Sequence, residues 1–163
     1  MTESKYIWMD GEFTPWNEAK VHVLSHTLHY GNGAIEGTKA YKTVDGRCAI
    51  FKLNEHTQRL LNSSKMTLMN VPFSLEELNK AQVELLQKNE LTNGAYIRPL
   101  VYLGYGVMGL YHKDAPVKVS ISAWEWGAYL GEEGLKKGVR VKISSFTRTP
   151  NTSGMGKAKS VAN

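Results

Sequence analysis

Several residues in this chain are of types, and at spacings, that could do chemistry. His22, His26 and His29 fall at near-helical intervals, and three imidazoles on one face could ligate zinc. No His-Glu-x-x-His pattern accompanies them, and no cluster of carboxylates or thiolates completes a coordination shell. Hydrogen bonding across a turn is the expected role, and no metal is expected. Gly104-Tyr105-Gly106-Val107-Met108-Gly109 has the spacing of a dinucleotide fingerprint and follows a predicted strand. That motif needs a helix to open at once, so that its N-terminus faces a pyrophosphate. Here Leu110 to Pro116 follows instead, and a flexible loop is expected. Gly156-Lys157 has the look of a phosphate loop, but Ala158 stands where Ser or Thr is required and Asn151 where the first glycine should be. Cys48, the only cysteine, lies in the apolar run Cys48-Ala49-Ile50-Phe51 and reads as a packing residue in a reducing compartment. Tyr96 and Arg98 are two apart in a predicted strand, share a face, and can line one cavity.

The elements that must position these groups are legible from turn and capping residues. Asp10-Gly11 between Tyr6-Ile7-Trp8-Met9 and Glu12-Phe13-Thr14 predicts a hairpin with a type I′ turn. Asp45-Gly46, flanked by Thr38 to Val44 and Arg47 to Leu53, predicts a second. Val21 to Gly37, rich in His and Gly, reads as loop and short helix. Asn54 is the expected cap of a helix running to about Leu68. Ser74-Leu75-Glu76-Glu77 is a capping box with Phe73 and Leu78 as a staple, opening a helix that ends near Asn89. Ala95 to Leu103 and Val117 to Ala123 alternate as strands, with Pro99 arguing for an edge or a bulge. Gly127 to Gly138 reads as a linker, Val139 to Phe146 as a further strand, and Ala158 to Asn163 as the opening of a helix. Strands, two helices, then strands predict an α+β first domain, giving boundaries of 1–126 for that domain, 127–138 for a linker and 139–163 for the start of another.

Composition sets limits on this reading. Apolar residues make up 42% of the 163 and charged residues 21%, ordinary for a folded domain. The formal charge of +5 comes from scattered Lys and Arg with no dense run, which argues against nucleic acid and suits small anions. No apolar run approaches the ~20 residues of a membrane helix, and the first residues carry no signal-peptide pattern. A cytoplasmic location is expected.

Five stretches, in order along the chain, carry a resemblance. They are His22-Val23-Leu24-Ser25-His26-Thr27-Leu28-His29-Tyr30-Gly31 running on to Ile35-Glu36-Gly37; Asn54-Glu55-His56-Thr57-Gln58-Arg59-Leu60; Ala95-Tyr96-Ile97-Arg98-Pro99-Leu100 with the Gly104 to Gly109 loop; Trp126-Gly127-Ala128-Tyr129-Leu130-Gly131; and Lys159-Ser160-Val161-Ala162-Asn163. Together they resemble the branched-chain amino-acid aminotransferases, fold-type IV enzymes that use pyridoxal 5′-phosphate. The resemblance covers the N-terminal portion of the family's chain, the small α+β domain plus the start of the cofactor domain. It implies transamination of leucine, isoleucine or valine with 2-oxoglutarate by a ping-pong mechanism, in a homodimer or higher homo-oligomer.

The resemblance also implies roles. Lys159, rather than Lys157, is the lysine that holds the cofactor covalently and then carries a proton, a role that calls for burial near cations. Arg59 meets the cofactor phosphate; a surface ion pair on its helix is the plainer alternative. Tyr30, Ile35, Tyr96, Arg98 and Tyr129 bind substrate, Tyr96 near the α-carboxylate and Arg98 near the second carboxylate of glutamate. Ile35 stands where relatives often carry phenylalanine, and Lys39 where some carry arginine. The family's carboxylate for the pyridine nitrogen and its phosphate loops are not among these residues, so the 163-residue chain itself is expected to be inactive. Alternatives are a D-amino-acid transaminase or an aminodeoxychorismate lyase of the same family, or a non-catalytic association module.

Overall fold

The computed structural model describes residues 2–126, 131–150 and 152–162. β1 (Tyr6–Met9) and β2 (Glu12–Pro15) form the first predicted hairpin, paired from Met9↔Glu12 outward. Asp10 and Gly11 both take positive φ, 49° and 105°, as a type I′ turn requires. Asp10 does more than turn the chain. Its Oδ1 accepts from the Val119 N–H at 2.8 Å and its Oδ2 pairs with Lys118 at 3.2 Å.

The span from Val21 to Gly37 holds a short helix, α1 (His26–Tyr30), and also a strand, β3 (Gly33–Ile35). β4 (Thr38–Lys42) and β5 (Cys48–Ile50) form the second hairpin, but not with a copy of the first turn. The Thr43 N–H donates to Arg47 O at 2.8 Å, and of the three residues between them only Gly46 has positive φ. This is a three-residue loop with glycine at the left-handed position.

The predicted second strand of that hairpin ends at Ile50 instead of Leu53, because α2 (Leu53–Met66) begins there. Lys52, not Asn54, is its N-cap residue, in the left-handed region at φ 55°. Asn54 faces the neighbouring helix, where its Oδ1 accepts from Asn79 Nδ2 at 2.6 Å; this cross-helix bond displaces the local cap. α3 (Leu75–Lys88) starts with both bonds of the capping box, Glu77 N–H to Ser74 Oγ and Ser74 N–H to Glu77 Oε2, and ends at Asn89 as predicted. The Asn89 side chain then ties that end to the first strand, accepting from the Lys5 and Tyr6 N–H groups and donating to Tyr6 O.

β6 (Ala95–Leu103) and β7 (Val117–Trp124) pair over eight residues, and the antiparallel sheet runs β2-β1-β7-β6-β4-β5 with β3 also on β6. β6 is therefore central, not an edge, despite Pro99. The reason is local. Pro99 O accepts from the Glu36 N–H at 3.0 Å, so the missing Pro99 N–H faces residues 36–37, where the ladder breaks between β3 and β4.

One face of the sheet carries α2 and α3. Ile97 and Val101 of β6, Val119, Ile121 and Ala123 of β7, Leu60 of α2 and Leu78 and Leu85 of α3 are buried in the core between them. The other face presents Tyr96, Arg98 and Leu100.

Beyond β7, α4 (Gly131–Lys137) lies inside the stretch predicted as a linker. The strand predicted from Val139 to Phe146 does not form. Among the described residues nothing pairs with it, and Val141, Ile143 and Phe146 are 88–95% exposed. The helix predicted from Ala158 is replaced by a single antiparallel bridge, Ala34↔Ser160, because the backbone of 159–161 bonds to β3 instead of to itself. No helix among the described residues is long and apolar enough to cross a membrane.

Candidate active site

Three consecutive residues, Ile35, Glu36 and Gly37, each hold a different part of the site. Ile35 is set by two ladders. On β6 it lies opposite Leu100. On its other side its N–H donates to Lys159 O at 2.9 Å, while the Val161 N–H donates to Gly33 O at 3.0 Å. This register places Lys159 directly opposite Ile35, and residues opposite one another across a ladder share a face. Lys159, Ile35 and Leu100 therefore lie on the same open face as Arg98 and Tyr96. Ser63 of α2 secures the stretch from below, its Oγ accepting from the Lys159 N–H at 3.1 Å.

Glu36 points the other way, toward α2. Its side chain is fully buried, the one buried carboxylate among the described residues. Arg59 grips it with a two-pronged fork, Nε to Oε1 and Nη2 to Oε2 at 2.8 Å. His56 Nδ1 lies 2.9 Å from Oε2 and must donate, since a carboxylate only accepts. Burial pushes the Glu36 carboxyl up, but the hydrogen bonds of Arg59, His56 and the Gly37 N–H outweigh it and hold it below the ordinary range. The same bond raises the Arg59 guanidinium. Arg59 is thus in an ion pair, in line with the plainer alternative, yet with a buried partner rather than a surface one.

Gly37 leaves room for Tyr96. A Cβ at position 37 would fall 2.1 Å from the Tyr96 hydroxyl oxygen, so any other residue there would force the Tyr96 side chain to shift. Arg98 donates from Nη2 to that hydroxyl at 2.8 Å and stacks over the Tyr96 ring, whose other neighbours are Trp124 and Trp126. Arg98 Nε is buried without a hydrogen-bond partner. A buried donor in that state costs about 1–3 kcal/mol.

Ile35, Arg59, Arg148, Lys157 and Lys159 line a cleft of about 310 Å³. Among the described residues four cations and no acid line it, a charge balance that suits an anion. Lys159 is exposed there rather than buried, because nothing among the described residues covers the cleft. A larger groove, about 660 Å³, lies between β5 and α3, walled by Ile50, Leu53, Val83 and Leu86; none of the residues expected to do chemistry lines it.

Tyr30 stands apart from the cleft. Its hydroxyl accepts from the Gly109 N–H at 3.1 Å, and His26 Nε2 lies 2.8 Å from Gly109 O, so α1 grips both sides of one residue in the 104–116 loop. His29 Nε2 meets Val23 O at 2.9 Å and His22 Nδ1 accepts from the Leu24 N–H at 3.1 Å. The histidine trio thus makes backbone bonds within its own turn and to this loop. Tyr129, expected at the substrate, lies outside the described residues.

The sequence profile of the family described as Amino-transferase class IV matches residues 33–162. The chain belongs to the class IV aminotransferases. Within them it is 48% identical over 154 residues to a branched-chain-amino-acid aminotransferase of Pseudomonas aeruginosa, covering 94% of this chain and 50% of that relative. It is 44% identical to the one of Escherichia coli K12, covering 93% and 50%. This class IV aminotransferase chain superposes on a T.th. branched-chain amino acid aminotransferase solved with pyridoxamine 5′-phosphate at a TM-score of 0.91 and 44% identity, over 99% of this chain and 53% of that one. The Escherichia coli structure gives 0.90 and 42%, over 99% and 53%. The resemblance read from the five stretches is borne out, as is the fold-type IV α+β architecture. The chain spans about half the length of the curated relatives it matches.

Sequence reasoning assigns no role to Glu36, His56, Ser63 or Arg148. A signal for the first two is present: His56 and Arg59 are three apart on one helix face, and Glu36 is the lone acid in an apolar, glycine-bounded strand end.

Proposed function

We propose that this chain carries the lysine-bearing part of a branched-chain amino-acid aminotransferase that moves an amino group between leucine, isoleucine or valine and 2-oxoglutarate in a ping-pong cycle on pyridoxal 5′-phosphate. The observation that carries this reading is the Ala34↔Ser160 bridge, which sets Lys159 opposite Ile35 on the face of Tyr96 and Arg98, with Arg59 in the same cleft. The donor set fits the cofactor: a primary amine among cations, with no acid to repel a phosphate. When bound, pyridoxal phosphate supplies an electron sink and a carrier for the amino group.

Each residue then has a task. Lys159 anchors the cofactor and, once displaced by the substrate amine, moves the proton at the substrate α-carbon. Arg59 faces the phosphate with the edge that Glu36 does not use. Tyr96 meets the α-carboxylate. The unpartnered Nε of Arg98 accounts for its cost if the second carboxylate of glutamate bonds there. Ile35 borders the pocket and with Leu100 keeps it apolar for a branched side chain, Tyr129 is assigned to the substrate by the resemblance alone, and Tyr30 holds the 104–116 loop instead. In this reading residues 1–126 are the small domain, 127–138 the linker and 139–163 the start of the cofactor domain. The protein works as a homodimer or higher oligomer, with the exposed 104–116 loop meeting its neighbour. A polypeptide of these 163 residues alone turns over no substrate, because among the described residues no acid lines the cleft to hold the pyridine nitrogen and Glu36 is committed to Arg59 and His56.

Arg98→Ala in the intact enzyme tests the substrate assignment. Loss of a charged hydrogen bond costs about 1.5–3 kcal/mol, so kcat/KM for 2-oxoglutarate should fall roughly ten- to a hundred-fold more than that for leucine. Equal losses on both substrates would move Arg98 to the shared α-carboxylate or to the scaffold.

A further inference from the structure

We propose that Glu36 is a positioning residue for Arg59, and that the rigid Ile35-Glu36-Gly37 segment sets the spacing between the cofactor's two attachment points. The proposal rests on the reading of Arg59 as the phosphate ligand and Lys159 as the covalent anchor.

A guanidinium has five N–H donors in a plane. Glu36 takes one from Nε and one from Nη2, which immobilises the plane and leaves both Nη1 donors on the opposite edge. Arg59 lines the cleft and its side chain is 53% exposed, so a ligand in the cleft can reach it.

Stability alone gives little reason for this pair. A charge as deeply buried as Glu36 costs several kcal/mol before compensation, and apolar replacements of buried ion pairs are often as stable. What the pair supplies is a fixed direction. The Glu36 backbone cannot drift, because the Ile35 N–H is bonded to Lys159 O at 2.9 Å and the Glu36 N–H to Pro99 O at 3.0 Å. His56 and the Gly37 N–H, at 2.9 and 3.2 Å, hold the same Oε2. One short stretch of backbone thus sets Lys159 through Ile35 and Arg59 through Glu36, and both line one cleft. A cofactor attached at its aldehyde carbon and held at its phosphate needs both at one fixed separation. Glu36 also neutralises part of the charge on Arg59, so a mere charge account predicts the opposite sign: removing Glu36 would tighten phosphate binding.

The test is pyridoxal-phosphate affinity of the intact apoenzyme, titrated by cofactor absorbance, for wild type, Glu36→Gln, Arg59→Ala and the double variant. Glu36→Gln should weaken binding about tenfold, on the scale of one charge-assisted hydrogen bond. The double variant should bind no more weakly than Arg59→Ala alone, since Glu36 acts only through Arg59. Unchanged or tighter binding by Glu36→Gln overturns the proposal, as do losses that multiply in the double variant. If Arg59→Ala itself binds like wild type, the phosphate assignment fails first. Arg59→Lys covers the case in which Glu36→Gln does not fold. It keeps the charge but not the fork, and should bind like Arg59→Ala; wild-type affinity there would overturn positioning.

Discussion

Val117–Trp124 and residues 139–146 carry nearly the same text, Val-Lys-Val-Ser-Ile-Ser-Ala-Trp and Val-Arg-Val-Lys-Ile-Ser-Ser-Phe. The first is β7, paired over eight residues with β6 and also with β1, and its Ile121 is fully buried. The second is irregular, and its Ile143 is 95% exposed. Alternation states which face a strand would bury. It does not supply the neighbouring strand that the backbone groups need, nor the helices that cover the apolar face. The same contrast recurs on a smaller scale at the site. Residues 158–161 are fixed only where they lean on β3 and α2, and this fixed stretch is where Lys159 lies.

The largest effect should appear at that junction. In the intact enzyme Lys159→Ala should lower kcat by about 10²–10⁴-fold, the scale of a lost general acid–base. Borohydride reduction of the wild type should leave the cofactor's mass on the peptide at Lys159. Lys157 precedes the bridge to β3; a label there would show that the bridge does not select the reactive amine.

The two similar segments can be compared directly in a polypeptide of these 163 residues. Ile121→Ala removes a buried side chain from the core and should cost about 2–5 kcal/mol in urea unfolding. Ile143→Ala should change stability by no more than about 0.5 kcal/mol. Comparable losses at both positions would mean that 139–146 packs onto the sheet after all.

What is legible in the sequence follows the same division. Asp10-Gly11, the Ser74 capping box and the β6 and β7 alternation are local signals whose partners are near or unavoidable, and they read correctly. Pro99 reads as an edge residue because its missing N–H cannot donate; nothing local shows that the ladder breaks opposite it at residues 36–37. Asn54 reads as a cap because its rival partner, Asn79, is on another helix. At the site, the shared face of Tyr96 and Arg98 comes from period-two alternation, and the resemblance supplies Lys159 and Arg59. Glu36 and Ser63 act through contacts distant in sequence, 23 residues from Glu36 to Arg59 and 96 from Ser63 to Lys159, which composition and spacing do not encode.

The buried Glu36 adds a pH dependence of its own. Its carboxyl is held below the ordinary 4.5 in the fold. A group depressed on folding contributes stability in full above its unfolded pKa and loses it as pH falls through the folded value. The difference in urea midpoint between wild type and Glu36→Gln should therefore be constant from about pH 7 to 5 and shrink below about 4.5. Asp45, Glu55 and Glu77 are also lowered, but they are common to both proteins and cancel. A difference that does not change with pH would mean that the fold does not lower the Glu36 carboxyl below its unfolded value.

The smallest effect concerns how firmly the lysine stretch is held. Ser63 is buried on α2, and its Oγ accepts the Lys159 N–H at 3.1 Å. Ser63→Ala deletes one hydrogen bond, worth about 0.5–1.5 kcal/mol, while alanine itself favours the helix. The helix and the core should therefore keep their stability, and the cost should fall on residues 157–161. Amide exchange there should quicken about two- to twelve-fold, that free energy expressed as a rate ratio, with β6 and β7 unchanged. The bonds from Ile35 to Lys159 O and from Val161 to Gly33 O remain, so the stretch should loosen without leaving β3. Faster exchange across α2 as well would assign Ser63 to the helix. Exchange unchanged at 157–161 would show that the two backbone bonds to β3 hold Lys159 without help from α2.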